Sequence, residues 1–227
     1  AMKRGDYMKF LQVIQVEMPE GWHISSMHTP SKHNQQISCL MNRKELRAGL
    51  EITEEFHGCP YVVGVDIYPL DYVPRDAAMA ETQWNLYSVI YDTARRYLEL
   101  EQNGELGVYL SQIEQLCAMK FDYNQPIRKQ LWLLSDKIAS LFTEEECDEL
   151  TWFPRMVCKN KMFRLKKEWY SDVIEMPFEN ITVPVPLGYH EVLTMMYRDY
   201  MTQRQVRGGH DYPFYKKQDA FLEKRKQ

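Results

Sequence analysis

Apolar residues recur at intervals of three and four across positions 3–16, where Tyr7, Phe10, Leu11 and Ile14 share one side. This spacing predicts an amphipathic helix that stops before Pro19-Glu20-Gly21. Two short runs with strand character follow, Trp22–His28 and Gln35–Met41, with Pro30, Ser31 and Asn34 in the turn between them. After a charged stretch at 42–55, Tyr61-Val62-Val63-Gly64-Val65-Asp66-Ile67-Tyr68 is rich in β-branched residues and reads as a buried strand ended by Pro69. From 76 to 150 the period becomes helical, through Trp84, Tyr87, Ile90 and Tyr91, then Leu110, Ile113, Leu116 and Cys117, then Leu131, Leu134, Ile138 and Leu141. Breaks are expected at Asn103-Gly104 and at Tyr123–Pro126. Short strands return at 162–165, 172–175 and 181–184, and a helix over 188–200 follows the Pro184-Val185-Pro186 turn. Strands interrupted by a helical block define an α+β class with a helical insertion at 76–150. The strand at 61–68 is expected near the centre of a mixed sheet, with helices 3–16 and 188–200 packed against it.

The chain has 227 residues, 44% of them hydrophobic and 26% charged, enough apolar surface for a sizeable core in one domain without disulfides. The net charge of −4 excludes broad nucleic-acid binding, which needs a basic face, but leaves room for a small basic pocket around one phosphorylated ligand. Five cysteines, an odd number with irregular spacing and no CxxC, fit a reduced compartment. Cys39, His57 and Cys59 could be imagined as zinc ligands, but the spacing favours a structural role, because the second paired cluster that such a site needs is not visible. No apolar run approaches the roughly 20 residues that span a bilayer, and the polar, charged start does not read as a signal peptide. The cytoplasm is the expected location.

Asp66 is the most informative residue. A carboxylate inside an apolar strand needs a partner, since burying it alone costs several kcal/mol. That partner is a metal ion, a basic side chain or backbone N–H groups; otherwise Asp66 caps the turn before Pro69. Asp71, in Pro-Leu-Asp-Tyr-Val-Pro, reads as a turn residue. Arg43 follows a strand and is placed to meet a phosphate or to sit solvated on the surface. His210 lies in Gly208-Gly209-His210-Asp211, a loop. Trp84, Tyr87, Tyr91 and Tyr97 could form a cation–π cage, but their helical spacing favours core packing. The basic tail, 216–226, is a solvated end open to a membrane surface or a phosphorylated acceptor.

Three segments carry a resemblance. Val65-Asp66-Ile67-Tyr68-Pro69-Leu70-Asp71, followed by Val73-Pro74, resembles the LicD-family pattern of hydrophobic-Asp-hydrophobic-aromatic-Pro-Leu-Asp and then Val-Pro. Lys167-Glu168-Trp169-Tyr170 resembles the lead-in to the family's second hallmark. Residues 176–201, with Pro177-Phe178-Glu179, Val183-Pro184-Val185-Pro186 and a helix ending in Tyr197-Arg198-Asp199-Tyr200-Met201, resemble that hallmark itself. The likeness covers 3–75 and 160–215. The family includes bacterial phosphocholine transferases, and fukutin-related protein shares its core.

The resemblance implies a nucleotidyltransferase-like mixed sheet over a single domain, 1–227. It also implies Mg²⁺-dependent transfer of phosphocholine, or a similar phospho-group, from a CDP-choline type donor to a glycan or lipid-linked glycan precursor at the cell surface. Asp66 matches a catalytic carboxylate that holds the metal, because converging hard oxygen ligands suit Mg²⁺ and orient an in-line displacement. Arg43, Lys167 and His210 are the implied substrate contacts, and a lipid-linked acceptor would put the work at the inner membrane face.

Two departures stand out. The family's Asp-rich motif, and the glycine-containing segment ahead of it, would lie upstream of Ala1, so the resemblance implies that residues 1–227 alone are inactive. Arg198 stands where the family commonly has glycine. Two other functions stay open: a binding module that kept the fold and lost the metal site, and another nucleotidyltransferase-fold enzyme acting on sugars or antibiotics.

Overall fold

The computed structural model describes residues 1–29, 36–42, 55, 64–158, 163–202 and 215–224. The chain opens with β1 (Met2–Lys3) and runs directly into α1 (Arg4–Val16), which buries Tyr7 and Leu11, one turn apart. Next come β2 (His23–Ser25), β3 (Ser38–Met41), β4 (Gly64–Ile67) and β5 (Pro69–Pro74). A helical block follows: α2 (Ala77–Arg95), α3 (Tyr97–Gln102), α4 (Leu106–Leu116) and α5 (Ile127–Ala139). The C-terminal third holds β6 (Cys147–Thr151), α6 (Phe153–Cys158), β7 (Leu165–Lys166), β8 (Val173–Phe178), β9 (Ile181–Pro186), α7 (Tyr189–Tyr197) and α8 (Tyr215–Lys224). Among the described residues, no helix is long and apolar enough to cross a membrane.

The strands form a four-stranded sheet in the order β1-β5-β6-β7, an antiparallel sheet β2-β3-β4, and the hairpin β8-β9. The first is mixed, because β1 runs parallel to β5 while β6 is antiparallel to both its neighbours. The molecule is therefore α+β with a mixed sheet.

Of the run expected as one central strand, 61–68, residues Gly64–Ile67 form β4, and a further strand, β5, begins directly after it at Pro69; residues 61–63 lie outside the described residues. Among the described residues, 64–67 lies at the edge of β2-β3-β4, not at a sheet centre. Pro69 does not end the strand; it opens the next one. Lacking an N–H, a proline fits a paired strand at its first position. The chain thus leaves one sheet at Ile67 and joins the other at Pro69, with Tyr68 between them. The Tyr68 carbonyl accepts from the Met2 N–H at 3.0 Å, which ties the junction to the chain start. Asp71 is correspondingly not in a turn: β5 is buried along its whole length.

The helical block follows its periodicity from Ala77 to Ala139, but the expected bounds of 76–150 run too far, because Cys147–Thr151 is β6, an interior strand of the four-stranded sheet. Asp76 caps α2 by accepting from the Met79 N–H at 2.8 Å. Gly104, at φ +72°, makes the turn between α3 and α4, where a side chain would be strained. Tyr87 lies stacked on Tyr91 at 5.4 Å and against Phe153 at 4.8 Å, and Tyr91 meets Trp132 edge-on at 5.2 Å. These aromatics are core, as their spacing indicated. A second core, of Leu70, Tyr72, Cys147, Leu150, Phe163 and Leu165, underlies the four-stranded sheet, and Trp169, Tyr170, Val192 and Met196 pack against it. The third core joins Tyr7 and Leu11 of α1 to Ile67 of β4.

Two local features carry testable consequences. The Gly188 N–H donates to the Trp169 carbonyl at 2.9 Å, and a Cβ at this glycine would stand 2.5 Å from Trp169 Cβ and 2.7 Å from its Cα. Gly188→Ala is expected to cost about 1–3 kcal/mol by overpacking, read as a lower denaturation midpoint with an unchanged denaturant slope. Arg198, just past α7, sits at φ +59° and ψ −114°, a conformation that favours glycine. The glycine expected there is therefore absent from a backbone that still has a glycine's shape. Arg198→Gly should raise stability by about 1 kcal/mol, the relieved strain less the unfolded-state entropy of glycine. Thermal unfolding should shift up by roughly 2–4 °C.

Candidate functional site

Asp66 lies in register opposite Cys39, which in turn faces Ser25, so a hydroxyl, a thiol and a carboxylate form one row across β2, β3 and β4. The residues on the alternate side, Ile24, Leu40 and Ile67, pack toward α1. This alternation places Asp66 on the face turned away from the helix.

Asp66 is exposed rather than buried. Among the described residues its carboxylate is held by two donors: the Cys39 thiol gives to Oδ1 at 2.9 Å and the Tyr68 hydroxyl to Oδ2 at 3.3 Å. Burial, reinforced by the bond to Asp66 and its charge, pushes the Cys39 thiol up to about 12, so it acts as a donor and not as a thiolate. Burial and then Asp66 also push the Tyr68 hydroxyl up. Among the described residues, a thiol and a phenol, rather than a basic side chain or backbone N–H groups, are the partners of Asp66.

Lys167 belongs to the other sheet's surroundings, where its Nζ donates to the Glu144 carbonyl at 2.8 Å. It does not join the hydrogen-bonded group around Asp66. Arg43 and His210 lie outside the described residues, as do His57 and Cys59. Among the described residues, no group of three or more His, Cys, Asp or Glu side chains converges to hold a metal ion. Asp66 alone does not make a Mg²⁺ site, which needs several converging oxygens. A cavity of about 590 Å³ opens between the end of β5 and the start of α2, lined by Arg75, Glu81, Trp84, Asp148 and Arg164 among others; Asp66 is not part of its wall.

A second polar centre went unread in the sequence. Arg4, at the start of α1, grips Asp71 of β5 with Nε to Oδ1 at 2.6 Å and Nη2 to Oδ2 at 2.8 Å. The same guanidinium reaches Asp136 of α5 at 2.9 and 3.2 Å. His28 Nε2 stands 3.1 Å from Asp136 Oδ2, and Arg4 lies over the Tyr7 ring at 5.5 Å. Side-chain exposure is 12% for Arg4, 3% for Asp71 and 9% for Asp136. Two buried carboxylates therefore share one guanidinium, and their environments pull them apart. Burial pushes Asp71 up, against the pull of Arg4 and helped by the charge of Asp136. Burial also acts on Asp136, but the contact with His28 and the charge of Arg4 outweigh it and hold that carboxyl below its usual range.

No family model, no curated protein and no solved structure matches this chain.

Proposed function

We propose that this chain is part of a LicD-like phosphotransferase. It moves phosphocholine, or a similar phospho-group, from a nucleotide-activated donor of the CDP-choline type to a glycan or lipid-linked glycan precursor. One observation carries the reading: the first of the three segments that resemble the family, distant in sequence from the other two, meets both of them at one place in the fold. Leu70 and Tyr72 of the first segment form the core on which Trp169 and Tyr170 of the second and Val192 and Met196 of the third pack. Gly188 of the third segment is fitted directly against Trp169 of the second. Segments kept together by a shared packing role support a common origin for the three motifs.

In this reading Asp66 is the catalytic carboxylate and one ligand of Mg²⁺. Arg43, Lys167 and His210 are proposed contacts to donor and acceptor. The metal, when bound, would neutralise phosphate charge, and among the described residues Asp66 would be its one carboxylate ligand. The Asp66 carboxylate is exposed and, with two donors among the described residues, has lone pairs to spare for a cation. The proposed setting is the cytoplasm, at the inner membrane face where a lipid-linked acceptor would be.

A second reading has its own support. Asp66 stands without companion ligands among the described residues, as expected for a binding module that retained the fold without the chemistry. Identifying the product separates the two. The full-length gene product is incubated with Mg²⁺ and CDP-choline labelled in the choline moiety, in the presence of a glycan-lipid extract. Release of CMP with label in the glycan fraction is expected. Donor binding without CMP release would favour the binding module, and release of pyrophosphate from a nucleoside triphosphate would favour a nucleotide-transferring enzyme.

A further inference from the structure

The contacts around Asp66 do not end at Tyr68. The Tyr68 ring meets the Trp152 ring edge-on, with centroids 4.6 Å apart. The Trp152 indole Nε1 donates to the backbone carbonyl of Gln36 at 3.3 Å. The Gln36 side chain, itself 4% exposed, is held at both ends by the helical block. Its Nε2 donates to Ser135 Oγ of α5 at 2.9 Å, and its Oε1 accepts from the Tyr87 hydroxyl of α2. Ser135 is anchored in turn, donating to the Trp132 carbonyl at 2.8 Å. An unbroken series of contacts therefore runs from the buried centre of the helical block to an exposed carboxylate on a different layer.

We infer that the helical block positions Asp66 through Gln36, Trp152 and Tyr68. This rests on the reading of Asp66 as the catalytic carboxylate. Each link has a physical reason to transmit position. Gln36 is a buried amide whose oxygen and amino group both have partners, so losing either leaves a costly unsatisfied group and the side chain resists rotation. Its fixed backbone carbonyl sets the tilt of the Trp152 indole, and that ring leaves Tyr68 one edge-on seat. The phenol hydroxyl can then reach only one side of Asp66, while Cys39 holds the other oxygen. Sheet-edge carboxylates ordinarily sample several rotamers; this one is braced from both sides. Gln36, Trp152, Tyr68 and Cys39 are positioning residues in this account, and Asp66 is the group they serve.

The test uses two readouts. In the first, 3-fluorotyrosine is placed at Tyr68 in the 227-residue chain, and its ¹⁹F resonance is followed in Tyr87→Phe, Trp152→Phe and Asp66→Asn backgrounds. All three substitutions are expected to move the resonance, including Tyr87→Phe, which lies in the helical block. A resonance that ignores both Tyr87→Phe and Trp152→Phe overturns the inference, whatever the enzyme does. In the second, CMP release is measured in the full-length gene product. Tyr68→Phe and Tyr87→Phe should each lower kcat by about tenfold to a hundredfold with the donor KM unchanged, as loss of an outer partner of a catalytic ligand does. The double substitution should be no worse than the more damaging single one, because both cut the same series. Cys39→Ser, which keeps a donor, should retain more turnover than Cys39→Ala. Effects that multiply independently overturn the inference. Absence of turnover in the unmutated protein counts against the proposed function alone, since the ¹⁹F result stands apart from it.

Discussion

Arg4→Ala is expected to lower the unfolding free energy by about 3–5 kcal/mol, the usual cost of removing one partner from a buried ion pair. The reason is geometric. Arg4 is the sole cation that hydrogen-bonds both Asp71 and Asp136 among the described residues, and α1, β5 and α5 meet at its guanidinium. Without it, two carboxylates stay close together in the interior, with His28 beside only one of them. Against a total stability of about 5–15 kcal/mol for a domain, this loss is large enough to leave much of the protein unfolded at moderate temperature. Arg4→Lys should recover only part of it, because an ammonium cannot grip two carboxylates with a planar fork. The acid limb of the stability curve gives an independent check. Asp136 is held below its ordinary value of 3.8, so its contribution is present above that pH and is lost as the pH falls through the folded value. Asp71 is pushed up, so its contribution is present at low pH and is lost as the pH rises through its folded value. Asp136→Asn should therefore flatten the fall in stability below pH 3.8, whereas Asp71→Asn should remove a loss of stability that sets in as the pH rises above 3.8. Urea denaturation at a series of pH values measures both.

Much of the architecture could be read along the chain because it rests on local patterns. The helix stops at Pro19 and near Gly104, the helical period of 76–139 and the β8-β9 hairpin each follow from residues within a few positions of one another. The two-strand character of 64–74 was harder. Pro69 looks like a stop in sequence, and only its seat as the first residue of a strand paired with β1 shows that it marks a change of sheet. Asp71 was misread for the same reason. In β5 it alternates with Leu70 and Tyr72, and that period of two could have signalled a strand with a charge facing a partner. The partner could not have been named. Arg4 lies 67 residues away, and Asp136 another 65 beyond Asp71, and no local pattern pairs residues across such distances. Asp66 was legible as a residue that wanted partners, but Cys39 as one of them emerges only from the strand register. Arg198 was legible as a residue where a glycine belonged; its positive φ gives the physical ground.

Asp66 is the residue on which the proposed chemistry depends. Its carboxylate is exposed and its hydrogen bonds to Cys39 and Tyr68 are on the surface, so Asp66→Ala should leave folding nearly intact and act mainly on chemistry. In phosphoryl transfer a carboxylate at the reacting centre works by positioning and by charge, and removing one such group commonly costs at least about a hundredfold in turnover. The direct measurement is kcat for CMP release from CDP-choline with Mg²⁺, in the full-length gene product and in its Asp66→Ala variant, with matched far-UV circular dichroism and thermal unfolding. The account predicts turnover reduced by orders of magnitude in a variant that melts like the unmutated protein. Near-normal turnover in a folded Asp66→Ala protein would contradict it.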